Sequence, residues 1–171
     1  LQLVHTPEHI QKIRAASEGK VLKDIYRYVS LDNLDPRTNY IPLGIEQGSR
    51  LIVGSAFLAA ELLAQGKFKN IVAIGGMHHA KPAYGEGFCF YNDIAILVRA
   101  LKEKYNFKRI LVLDTDAHAG NGTSEIFYDD PEVLFIDIHQ DPRTLYPGTG
   151  FLEEIGKGRG EGFNVNLPLL P

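Results

Sequence analysis

The chain of 171 residues carries a formal net charge of −3, with 44% hydrophobic and 23% charged residues. That length suits one domain with a self-sufficient core, and the composition excludes a disordered or fibrous chain. The charge leaves no electrostatic footprint for nucleic acid, and no apolar run approaches the roughly 18 residues of a membrane span.

In chain order, Thr6-Pro7-Glu8 is a helix start, with a capping oxygen, a proline at the first helical position and an acid in the first turn. The helix is predicted from Pro7 towards Tyr28, with Gly19 as a candidate break. Residues 31–44 read as a loop from their proline and Asn/Asp content. A second helix is predicted from Ile45 to Gln65, with Leu51, Ile52, Leu58, Leu62 and Leu63 close to one face and Gly66 as its stop. "NIVAIGG" (70–76) reads as a buried strand and 93–105 as a helix, with Ile94, Leu97, Val98 and Leu101 at helical spacing. Strands follow at 109–116 and 133–139, a short helix lies between them at 124–128, and 163–169 is a candidate further strand. Strands without strict alternation, separated by helices, imply an α/β fold: a parallel sheet with helices on both faces. No repeat or linker divides the chain, so residues 1–171 are read as one unit.

In such sheets ligands sit at the carboxyl ends of strands. That rule points to "GGMHHA", "DTDAH" and "DIHQDP". Asp116 and His118 are two apart; if the strand is still extended there, both side chains point the same way and can share one metal. A nitrogen–oxygen pair suits zinc or ferrous iron better than calcium. Standing alone, the short pattern reads more readily as structural, with Asp116 a cap of the following helix and His118 a partly buried loop residue. His78 and His79 are adjacent imidazoles suited to general acid and base work, with Asp114 and Asn121 as candidate orienting partners. Cys89, the single cysteine, has no basic neighbour in sequence and is read as a packing residue. It excludes an internal disulfide framework and fits a reducing compartment. With no basic-then-apolar leader pattern, a cytoplasmic location is expected. His139 is read as either a rim or a structural residue, and His5 and His9 as surface residues at a helix start.

"GGMHHAKPAYGEGFCFYND", "LVLDTDAHAGNGTSEIFY" and "IDIHQDPRTLYPGTGFLEEIGKGRGEGFNVNLPL" together resemble the histone deacetylase superfamily, the metal-dependent deacetylases of the arginase-like fold. Order and spacing agree closely over residues 70–169 and more loosely before them. The resemblance implies a three-layer α-β-α fold, with this chain as an amino-terminal part of the catalytic domain. It implies Asp116 and His118 as two of three ligands to a catalytic zinc or ferrous ion. It makes His78 and His79 the catalytic pair, with Asp114 behind His78 and Asn121 behind His79. Gly87, Phe88 and Tyr146 would line the channel for an acyl-lysine-like chain, and Asp32 or Asp35 would hold the substrate backbone. A structural potassium would lie near Asp114, Asp116, His118 and Asp137. The implied substrates are acetylated lysine, an acetylated polyamine or another small acetylated amine; a homo-oligomer is compatible with the pattern.

Two family elements have no counterpart in this sequence: the second metal-binding aspartate downstream, and the tyrosine that follows a glycine pair. The expectation is therefore part of a longer deacetylase, with a natural short form as the alternative. An inactive module that binds acyl chains competes with the enzyme reading. Gly120 stands where two-metal ureohydrolases place a further aspartate, which argues for one catalytic metal. Nucleotide binding is a weak third reading, because "GTGFLEEIG" lacks the glycine spacing of a phosphate-binding turn.

Overall fold

A computed structural model describes residues 1–20 and 43–171. The predicted end of the first helix beyond residue 20, most of the 31–44 loop, and both Asp32 and Asp35 lie outside the described residues. The chain falls into two compact units, Leu1–Tyr105 and Asn106–Pro171.

The first unit is helical. Helix α1 (Pro7–Ser17) begins where the capping signal sits: the Thr6 hydroxyl accepts from the His9 N–H at 3.2 Å. Gly19, with φ +94°, lies just past its end. Helix α2 (Ile45–Ala64) ends near its predicted stop, with Gly66 at φ +66°. Its buried face differs from the expected one. Ser49, Val53, Ala56, Ala59 and Ala60 are buried, whereas Leu51 and Leu58 are exposed. Small side chains let a helix approach its neighbour closely, so the alanine stripe rather than the leucine stripe turns inward. Helix α3 (Asp93–Glu103) starts at an Asn92 cap whose Oδ1 accepts from the Ala95 N–H at 2.9 Å. Ile13, Ala16, Val53, Phe90, Tyr91 and Ile96 form the core of this unit.

Residues 70–76, expected as a strand, form no ladder among the described residues, and Val72 and Ile74 are exposed. An apolar, β-branched run favours an extended backbone, but only a paired neighbour makes it a strand.

The second unit is a parallel three-stranded sheet in the order β1-β2-β3, made of β1 (Ile110–Asp114), β2 (Val133–Gln140) and β3 (Asn164–Leu169). Helix α4 (Asn121–Phe127) follows β1, and a single 3-10 turn spans Gly158–Gly160. Along β2 buried residues alternate with partly buried ones, and none is exposed. The covered face carries Val112, Val133 and Phe135, while Leu111, Leu113 and Leu167 on the other face are exposed. Pairing Asp114 with Asp137, and Asp137 with Asn166, sets three polar residues in one row near the carboxyl end of the sheet. No helix among the described residues is long and apolar enough to cross a membrane.

Candidate active site

The first unit carries His78 and His79 on the turn after residues 70–76. Both are buried, with ring centroids 4.1 Å apart. The turn hangs from the start of α3. Asp93 accepts from the Met77 N–H at 2.8 Å and from the Gly76 N–H at 3.1 Å. Gly75 makes this approach possible, since a Cβ there would lie 2.0 Å from the Asp93 Oδ2. Asn92, fully buried, donates from Nδ2 to the Ala80 carbonyl at 3.2 Å and to the His78 carbonyl at 3.5 Å. Sequence reasoning passed over both residues. The available signal was an Asn-Asp pair immediately before an apolar helical period, a helix-start signature.

His5 and His9 correct an expectation. Both are buried rather than on the surface. The His5 Nδ1–H donates to the Lys81 carbonyl at 3.0 Å, and its Nε2 accepts from the Asn92 N–H at 2.9 Å. His9 Nε2–H donates to the Phe90 carbonyl at 2.7 Å. Burial, reinforced by the neighbouring His9, pushes the His5 pKa down from 6.5 to about 3. Folded His5 thus binds fewer protons than unfolded His5 across this range, and stability is lost as pH falls from about 6.5 towards about 3. Urea midpoints measured across that range should fall more steeply for the parent chain than for His5→Phe. Parallel curves would exclude His5 as the titrating group.

Gly87 and Phe88 sit in the same unit, on the short bridge between Glu86 and Cys89. Phe88 has φ 65° and is half exposed, an uncommon backbone state for a bulky residue and of the kind held at functional sites. Cys89 is buried, as expected of a packing residue.

The second unit carries Asp114, Asp116, His118, Asn121 and Tyr146. The strand ends at Asp114, two residues before the predicted end, so strand alternation does not set Asp116 beside His118. Successive aspartate turns do so instead: Asp114 Oδ1 accepts from the Asp116 N–H at 3.0 Å, and Asp116 Oδ1 from the His118 N–H at 2.8 Å. They bring Asp116 Oδ1 within 2.9 Å of His118 Nδ1. This nitrogen–oxygen pair is partly exposed at the end of a strand, which fits a zinc or ferrous ligand pair. Among the described residues no group of three or more His, Cys, Asp or Glu side chains gathers around a metal position. The Tyr146 ring meets the His118 ring edge-on, with centroids 6.3 Å apart. Asn121 is the first residue of α4.

His139, read either as a rim or as a structural residue, is fully buried against Asp137. Its Nε2–H donates to the Gly150 carbonyl at 2.9 Å, which leaves Nδ1 of the neutral ring as an acceptor. That atom lies 2.9 Å from Asp137 Oδ1, yet neither atom makes a hydrogen bond. Two buried acceptors face one another here, so the pair calls for an added proton or a cation. Burial pushes the Asp137 carboxyl upward, and Asp114 adds to this, while the Gly120 N–H on Asp137 Oδ2 at 2.7 Å and His139 oppose it.

A family model described as the histone deacetylase domain matches residues 1–171. A probable deacetylase of Archaeoglobus fulgidus is 44% identical over 170 residues, covering 98% of this chain and 43% of that protein. The acetoin utilization protein AcuC of Bacillus subtilis is 36% identical, covering 99% of this chain and 43% of that protein. The crystal structure of an HDAC homologue from Aquifex aeolicus is similar at a TM-score of 0.83 and 38% identity, covering 99% of this chain and 45% of that one. An HDAC homologue solved in complex with SAHA gives a TM-score of 0.81 at 37% identity, covering 98% of this chain and 44% of that one. The chain spans less than half the length of these relatives. With its whole length matched and its fold shared, the chain belongs to the histone deacetylase family.

Proposed function

We propose that this chain is the amino-terminal part of a metal-dependent deacetylase, acting on acetylated lysine or a related acetylated amine in the cytoplasm. The observation that carries the reading is the facing of Asp116 Oδ1 and His118 Nδ1 at 2.9 Å beyond β1. These two atoms would hold the zinc or ferrous ion. When bound, that ion lowers the pKa of water and polarises an amide carbonyl. In the reaction one imidazole of His78 and His79 takes a proton from the attacking water, and one returns a proton to the leaving amine. Half-exposed Phe88 and Tyr146, with Gly87, would flank the acyl chain. A structural potassium would draw on Asp114, Asp137 and the backbone about Asp116 and His118, and the buried Asp137 Oδ1 without a hydrogen bond suits a cation.

The second reading is a binding module that holds acyl chains without turnover. It is favoured by the pair of ligands, rather than three, among the described residues. A zinc titration of the chain against a chromophoric chelator tests the metal reading directly. One-to-one binding is expected, weakened by at least an order of magnitude in Asp116→Ala and in His118→Ala. Binding that neither substitution alters would place the metal elsewhere and sink the assignment. Hydrolysis of an acetylated lysine peptide by the full-length protein then separates the two readings.

A further inference from the structure

The geometry points to His5 as a positioning residue for the His78–His79 pair, acting through Lys81 and Asn92; this assignment rests on the pair's role in the proposed reaction. His5 is 2% exposed and bonded at both ring nitrogens. Because Nε2 accepts from a backbone N–H and Nδ1 donates to a carbonyl, the ring is locked as the neutral Nδ1–H tautomer. A phenyl ring would fill the same space but make neither bond.

One bond lands on Lys81, just after the turn, and the other on Asn92, whose side chain bonds to the turn. Lys81 lies two residues after His79, and its own N–H donates to the Tyr84 carbonyl at 2.9 Å. The Thr6 N–H donates to the Pro82 carbonyl at 2.9 Å, so residues 5 and 6 together hold the descending arm of the turn. Asn92 is held through its backbone by His5, while its side-chain amide carries the carbonyls of His78 and Ala80. The position of the His5 ring therefore sets the height of the Asn92 amide and, through it, the backbone from which both imidazoles project. The rings of His9 and Tyr91 pack about it at centroid distances of 5.2 and 5.4 Å, which limits any compensating shift. A misplacement of about 1 Å at such a distance from the chemistry can lower a rate by about 10²-fold.

Two variants of the intact chain separate positioning from packing. His5→Phe keeps the volume and removes both hydrogen bonds; His5→Gln can still accept from the Asn92 N–H. Imidazole nitrogen shifts of His78 and His79, read by two-bond proton–nitrogen correlation, are expected to move in His5→Phe and to return towards the parent values in His5→Gln. In the full-length protein, kcat on an acetyl-lysine peptide should fall about 10- to 100-fold in His5→Phe with KM little changed. It should recover in part in His5→Gln, whatever the melting temperatures do. Should His5→Phe fail to fold, His5→Asn, which keeps a donor towards Lys81 but falls short of Asn92, is read in the same way. Unmoved His78 and His79 shifts in a folded His5→Phe or His5→Asn chain would overturn the assignment. If instead the shifts move but no acetylated amine is hydrolysed by the parent protein, the deacetylase reading fails while the positioning role stands.

Discussion

Replacing His79 with alanine should lower the rate of acetyl-lysine hydrolysis by about 10²–10⁴-fold in the full-length protein, with KM close to that of the parent. Proton-transfer groups act on the transition state far more than on bound substrate, so their loss appears in kcat. The two imidazoles are buried neighbours at 4.1 Å on one turn, held from below by the Asp93 carboxylate and the Asn92 amide. On the proposed mechanism the two rings would act as a unit. The double variant His78→Ala/His79→Ala should therefore cost little more than the worse single variant. A loss smaller than about tenfold would remove His79 from the chemistry. Full multiplication of the two single losses would show that the rings act independently.

Phe135→Ala should cost the second unit about 3–5 kcal/mol of stability. Phe135 is 1% exposed, lies midway along β2, and is paired with Val112 on one side and Asn164 on the other. Its removal leaves a cavity beneath the covered face of the sheet. Asp137 and His139 project from that same face two and four residues further on, so the damage reaches the carboxylate row as well as the core. Leu113→Ala is the matched control, because this side chain on the opposite face is exposed. In this chain it should change stability by about 0.5 kcal/mol or less. Urea unfolding of the chain, compared at constant m, reads both. Equal losses would mean that the two faces are covered alike.

The capping and periodic signals of the chain located most of its helices and strands. Thr6-Pro7, the helical spacing of Ile94, Leu97, Val98 and Leu101, and the apolar runs 109–116 and 133–139 act through neighbours within a few residues, which is the range over which capping and side-chain periodicity operate. The three motif stretches around His78, Asp116 and Asp137 carried a resemblance to the family whose model then matched along the whole chain. Longer-range choices were not written locally. Whether 70–76 pairs, and whether leucines or alanines of α2 turn inward, depends on which surface is offered from elsewhere in the chain. His5 illustrates the same limit. Nothing near Thr6 in sequence marks it as buried; the Lys81 carbonyl and the Asn92 N–H that satisfy it lie 76 and 87 residues away. A histidine is inexpensive on the surface and costly inside unless both ring nitrogens are satisfied. Local patterns located most of the elements, carried the resemblance to the family and set acids and histidines at the strand ends. Which polar groups could be buried depended on long-range packing, because the partners that make burial tolerable are brought from distant parts of the chain.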